Sequence, residues 1–120
     1  MELKEMMQNK TFVVVGDTLN EEKYAYKIKE RLNEYNYEVY AVHKELKSIN
    51  DVPSDDFILD LCINPFKGLE YLKENKKKIK AVIIQPGAEG EELEGFLKKK
   101  EIPFIEGCAL VGLSLYGKKN

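Results

Sequence analysis

Residues 11–16, TFVVVG, are β-branched or aromatic at every position before the closing glycine. A strand with one wet face alternates polar and apolar residues. A run that does not alternate is buried on both faces, as in a parallel sheet covered by helices on each side. Four more short runs follow: YEVYAV (37–42), FILDLCI (57–63), KAVIIQ (80–85) and IPFIE (102–106). Tyr24, Ile28, Leu32 and Tyr35 recur at helical spacing over residues 22–35, and Asn36 suits a left-handed helix end. Residues 44–55 are short and polar and read as a turn. Asn64-Pro65 places a cap before a first-turn proline, which starts a helix running to about Lys78, with Leu69, Leu72 and Phe66 inward. Residues 89–100 are acidic at one end and basic at the other, as the helix dipole favours.

Strands alternating with helices imply right-handed βαβ units. The expected fold is α/β: a Rossmann-like, doubly wound, five-stranded parallel sheet, order 3-2-1-4-5, in three α/β/α layers. At 120 residues the chain makes one domain, with its core over about 11–111 and an apolar tail at 107–120. Leu110, Val111, Leu113, Leu115 and Tyr116 in that tail either complete the core or make a homodimer contact.

A formal net charge of −2 leaves no field to attract nucleic acid or anionic lipid. The lysines at 76–78 and 98–100 read as solvated helix ends. No apolar run approaches the ~18–20 residues that span a membrane. Gln8, Asn9 and Lys10 interrupt any signal-like core after Met6 and Met7, so the expected compartment is the cytoplasm. Cys62 and Cys108 are expected to be thiols there. One histidine and no Cys-x-x-Cys argue against a zinc site.

Ligands of open parallel sheets bind beyond the strands' carboxyl ends, where strand order reverses. In the expected order that point lies between the first and fourth strands, at Gly16-Asp17-Thr18 and Gln85-Pro86-Gly87. Asn64-Pro65 ends the third strand nearby, and Val42, His43 and Lys44 end the second. Gly16 and Gly87 also suit plain turns, Asn64 a helix cap and His43 a surface position. The convergence of four segments on one edge favours a site. Free amides at the first helix favour an anion, helped by Thr18 and Lys23. The Gly-x-Gly-x-x-Gly pattern of NAD domains is absent. His43 and Lys44 stand where such a domain carries an acid, so a phosphorylated ribose, as in NADP or CoA, suits them better; Glu45 restores an acid one residue later. No nucleophile elbow, Walker loop or histidine–carboxylate constellation points to catalysis.

The chain resembles the small single-domain CoA-binding proteins, relatives of the CoA-binding domain of the succinyl-CoA synthetase alpha subunit. The resemblance rests on Val14-Val15-Gly16-Asp17-Thr18, Asn20 to Lys23, Ala25-Tyr26, the segment from Asn36 to Lys44, Gln85-Pro86-Gly87 and Cys108. Thr18 replaces a family serine and keeps its hydroxyl; Ala25 loses one; Val42-His43-Lys44 replaces Val-Asn-Pro. The resemblance implies a non-catalytic CoA or acyl-CoA binding protein with its phosphates at the first strand–helix turn. An NADP-binding redox accessory or enzyme, and an interaction module with a degenerate pocket, are the alternatives. Cys108, if it approaches the crevice, could form a mixed disulfide with the CoA thiol.

Overall fold

The computed structural model describes residues 1–117; the last three residues of the apolar tail lie outside the described residues. Five parallel strands form one sheet: β1 (Thr11–Gly16), β2 (Glu38–His43), β3 (Phe57–Cys62), β4 (Ile79–Ile84) and β5 (Phe104–Glu106). The helices are α1 (Leu3–Met6), α2 (Tyr24–Glu34), α3 (Pro65–Glu74), α4 (Glu91–Lys99) and α5 (Ala109–Tyr116). One face of the sheet packs Phe12, Val14, Ile58 and Ile83 against Met6, Ile28, Leu32 and Leu113 of α1, α2 and α5. The other packs Val13, Leu59 and Val82 against Ile49, Leu72 and Leu97, from the 3-10 turn Ile49–Asp51, α3 and α4. This is the expected doubly wound α/β/α architecture.

The strand order is β2-β1-β3-β4-β5 rather than 3-2-1-4-5. The cause is burial. Residues 57–61 of β3 are all buried and belong inside the sheet, whereas β2 opens on exposed Glu38 and half-buried Val39 and Tyr40 and suits an edge. The chain from β2 to β3 therefore passes over β1, and Ile49 and Val52 fill that face in place of a helix. The reversal of strand order moves with it, to β1 and β3.

Three local expectations also change. The helix predicted from Asn64-Pro65, α3, stops at Glu74, not near Lys78, because Asn50 Nδ2 donates to the Glu74 carbonyl at 2.9 Å and Asn75 turns its side chain onto the Lys77 backbone. Phe66 is 80% exposed rather than inward. The tail forms α5, which buries Ala109, Gly112 and Leu113 and leaves Val111 and Leu115 outside. Asn36 is left-handed, with φ 64°, as expected. Among the described residues no helix is long and apolar enough to cross a membrane.

Candidate functional site

The carboxyl ends of the strands line up along one edge. Gly16 is in register with His43 of β2 and with Cys62 of β3. Gln85, Pro86 and Gly87 follow β4, on the far side of β3. The two glycine-bearing ends expected to meet are thus separated by β3, and the Gly16 turn shares its crevice with the end of β3 and with Asn64-Pro65. Gly16 is also a packing glycine: a Cβ there would lie deep inside contact with the Cys62 carbonyl and 3.0 Å from the Ala25 Cβ.

The turn after Gly16 opens onto the N-terminus of α2, which no side chain caps and whose first turn carries no acid. The anion preference of such an end remains available. Asp17 turns its carboxylate to the Leu19 amide, 3.2 Å away. Thr18 is buried, and its hydroxyl donates to Glu45 at 2.6 Å; Lys29 of α2 holds the same carboxylate at 2.7 and 2.9 Å. Burial pushes the Glu45 pKa up, but these hydrogen bonds and the Lys29 charge outweigh it and keep the group below its ordinary value. Lys23 is the N-cap residue of α2, with an exposed side chain.

Charge divides the mouth of the crevice. A cavity of about 590 Å³ beside the first turn is lined by Asp17, Leu19, Asn20, Glu21, Glu22 and Lys44, three acids to one cation. Lys44 of that lining, with Lys47 and Lys67 beyond it, surrounds His43 with positive charge. Its Nδ1 lies 2.8 Å from the Tyr71 hydroxyl. Lys47 and Lys67 line a smaller cavity of about 170 Å³ with Tyr71, Glu70 and Glu74, and Lys67 pairs with Glu70 at 3.5 Å. Burial first, then the charges of Lys44, Lys67 and Lys47, hold the His43 pKa below its ordinary value, against Asp17. His43 is neutral at pH 7 and the lysines supply the positive field.

His43 is also strained. Its φ is 117°, because the chain folds back after β2 so that its amide donates to the Leu46 carbonyl at 2.7 Å and Val42, fully buried, bridges Leu46. Only glycine adopts such a φ without strain. His43→Gly and His43→Ala both lose the Tyr71 contact, but only glycine relieves the backbone. The glycine variant is expected to be about 1 kcal/mol more stable than the alanine variant in urea unfolding, the reverse of the usual order in strands. Equal stabilities would show that the turn carries no strain.

The remaining predicted residues serve the fold directly. Asn64 caps α3 by accepting from the Lys67 amide at 3.0 Å, with Pro65 in the first turn. Gln85 is buried, and its Oε1 accepts from the Ala109 amide at 2.7 Å, which anchors the start of α5 against β4. Pro86 is exposed; Gly87 has φ +95° and donates its amide to Glu89 at 2.8 Å. Cys108 is half-buried at the N-cap of α5.

Residues the sequence reading passed over also lie at this edge, Lys29, Lys47, Lys67, Tyr71 and Cys62, or just inside it, Asp60. Asp60 is fully buried on β3, with neither carboxylate oxygen hydrogen-bonded. Its signal was legible, as an acid inside an otherwise apolar strand.

The sequence profile described as CoA binding domain matches residues 10–114. No curated protein matches the chain. Among solved structures, an uncharacterized protein is 32% identical, with TM-score 0.69, covering 89% of this chain and 96% of its own. A protein from Thermus thermophilus is 23% identical at TM-score 0.77, with 97% and 99% covered. Prb, the PH1109 protein redesigned for binding, is 21% identical at TM-score 0.86, with 95% and 89% covered. The last two bear on the fold alone.

Proposed function

The chain belongs to the CoA-binding domain family, and from that membership we propose that it binds CoA or an acyl-CoA as a ligand rather than turning it over. The observation that carries this reading is His43, in register with Gly16 and within the field of Lys44, Lys47 and Lys67, the last of them also paired with Glu70. In this reading the diphosphate lies at the α2 amides, and the lysines take the ribose 3′-phosphate. Thr18 steadies the turn through Glu45 and Lys29.

Thermal unfolding with added ligand tests the proposal. At about 100 times Kd, CoA is expected to add about 2.7 kcal/mol and raise Tm on the order of 10 °C. 3′-Dephospho-CoA should do less, and the difference should shrink in Lys44→Ala/Lys67→Ala. Negligible shifts with both ligands would overturn it. The same lysines also support NADP as the ligand, the second reading. A change in NADPH fluorescence on mixing, with no CoA shift, would favour it. The exposed Val111 and Leu115 of α5 support self-association, which light scattering reads directly. A folded chain that binds neither nucleotide would leave an interaction module.

A further inference from the structure

Cys62 ends β3 on the face covered by α2 and α5, where it packs against the cluster containing Ala25, Ile83, Ala109 and Leu113. Cys108 directly precedes Ala109 of that cluster. After β5 the chain bends back: the Gly107 amide donates to the Ile84 carbonyl, and the Ala109 amide to the Gln85 side chain. That fold-back sets Cys108 over the end of β4, the strand beside Cys62. Both thiols are half-buried and unbridged. Asp60, two residues before Cys62 on the same face, is fully buried with no hydrogen-bond partner for either oxygen. The two thiols lie at the ligand-facing edge, with Asp60 buried beneath Cys62, and the phosphate site does not use them.

We propose that Cys62 and Cys108 are a dithiol pair that reduces a disulfide of a CoA-type thiol by closing an internal disulfide. The inference rests on the CoA reading above. With the phosphates at the Gly16 turn, the far end of an extended ligand crosses the ends of β3 and β4 toward β5, about 14 Å away at three inter-strand spacings. Cys108 begins the helix that follows β5.

The order of reaction follows from the environment of Cys62. Burial first, then the charges of Asp60 and Cys108, push its thiol up to about 12, so it is not the first nucleophile at neutral pH. The Cys108 thiolate attacks CoA disulfide, forms a Cys108–CoA mixed disulfide and expels one CoA thiolate. The CoA thiolate expelled in the first step takes the Cys62 proton, and the Cys62 thiolate then attacks the Cys108 sulfur and expels the second CoA thiolate, which is protonated by solvent. Two protein thiols are oxidised to one disulfide, and one CoA disulfide is reduced to two CoA thiols. The exchange is stoichiometric, not a turnover.

The test incubates the reduced full chain with CoA disulfide or, in parallel, with an aromatic disulfide, and reads intact mass without reductant. Wild type is expected to lose two hydrogens and keep no adduct. Cys62→Ala, which leaves a small apolar side chain, should stop at the CoA mixed disulfide; Cys108→Ala should acquire neither. A wild-type chain that holds the CoA adduct as Cys62→Ala does would overturn the pair. An internal bond made by the aromatic disulfide but not by CoA disulfide overturns the CoA assignment of the site. No internal bond with either reagent, in a chain whose Tm CoA raises, overturns the dithiol and leaves the CoA reading standing.

Discussion

Asp60→Asn is expected to stabilise the chain by roughly 5 kcal/mol at pH 8 and by almost nothing at pH 3. Asp60 lies on a central strand between Val14 and Ile83, at zero exposure, and no hydrogen bond compensates its ionised form. Burial pushes its pKa from 3.8 to about 8. In the unfolded chain the carboxyl ionises near its ordinary value. Below that value both states hold the proton, and the group has no pH-dependent effect. As pH rises through the window between the two values, the unfolded state gains from ionising while the folded state does not. Stability is therefore full at low pH, falls steadily, and levels off once the folded group also ionises. The loss is a large part of the 5–15 kcal/mol of a typical domain. Asparagine keeps the shape and removes the ionisation, so the difference between the two chains isolates the group. Urea midpoints at pH 3, 5, 7 and 8 check it. A difference that does not change with pH would mean that Asp60 ionises freely in the fold.

A strand this apolar would be more stable with leucine at position 60. An acid kept at such a cost, beside Cys62 and two residues from the ligand-facing edge, is the pattern expected of a group retained for function. Its negative charge, once formed, opposes the Cys62 thiolate.

The strands were legible because burial on both faces leaves an unbroken apolar run, and the helix caps because their signals are local. Asn64 and Pro65 act on the turn they begin. What the sequence did not disclose depends on distant partners. Asn50 ends α3 from 24 residues away, and no spacing rule links it to Glu74. The Thr18 hydroxyl read as a ligand contact, but it meets Glu45, 27 residues on. Gln85 sat at a predicted ligand edge, yet its side chain turns inward to hold Ala109. The strand order was misread because residues 44–55 carry no helical period to show which face the crossover covers. Glu38 opening β2, against the unbroken buried run at 57–61 that calls for the sheet interior, decides the order. Misplacing β3 then paired the wrong strand ends, though Gly16, His43 and Asn64 still fall along one edge.

That correction changes what Gly16 is for, and the change can be measured. Glycine at the end of β1 read as part of a ligand edge or a plain turn; a side chain there would meet the Cys62 carbonyl of β3. Gly16→Ala is expected to cost about 3 kcal/mol, the upper part of the usual range for overpacking, because the obstacle is the backbone of a paired strand. Gly87→Ala meets no atom within 4 Å, so only its positive φ is penalised, by about 1 kcal/mol. The discriminating experiment adds Ala25→Gly to Gly16→Ala. The Ala25 Cβ is the nearest side-chain atom, at 3.0 Å, but the carbonyl stands closer, so the second substitution should restore little. Recovery to near wild-type stability would place the obstacle in α2 and leave β1 and β3 free to separate. Without recovery, the spacing of β1 and β3 is fixed by backbone contact, and the crevice that opens between their ends is as rigid as the sheet itself.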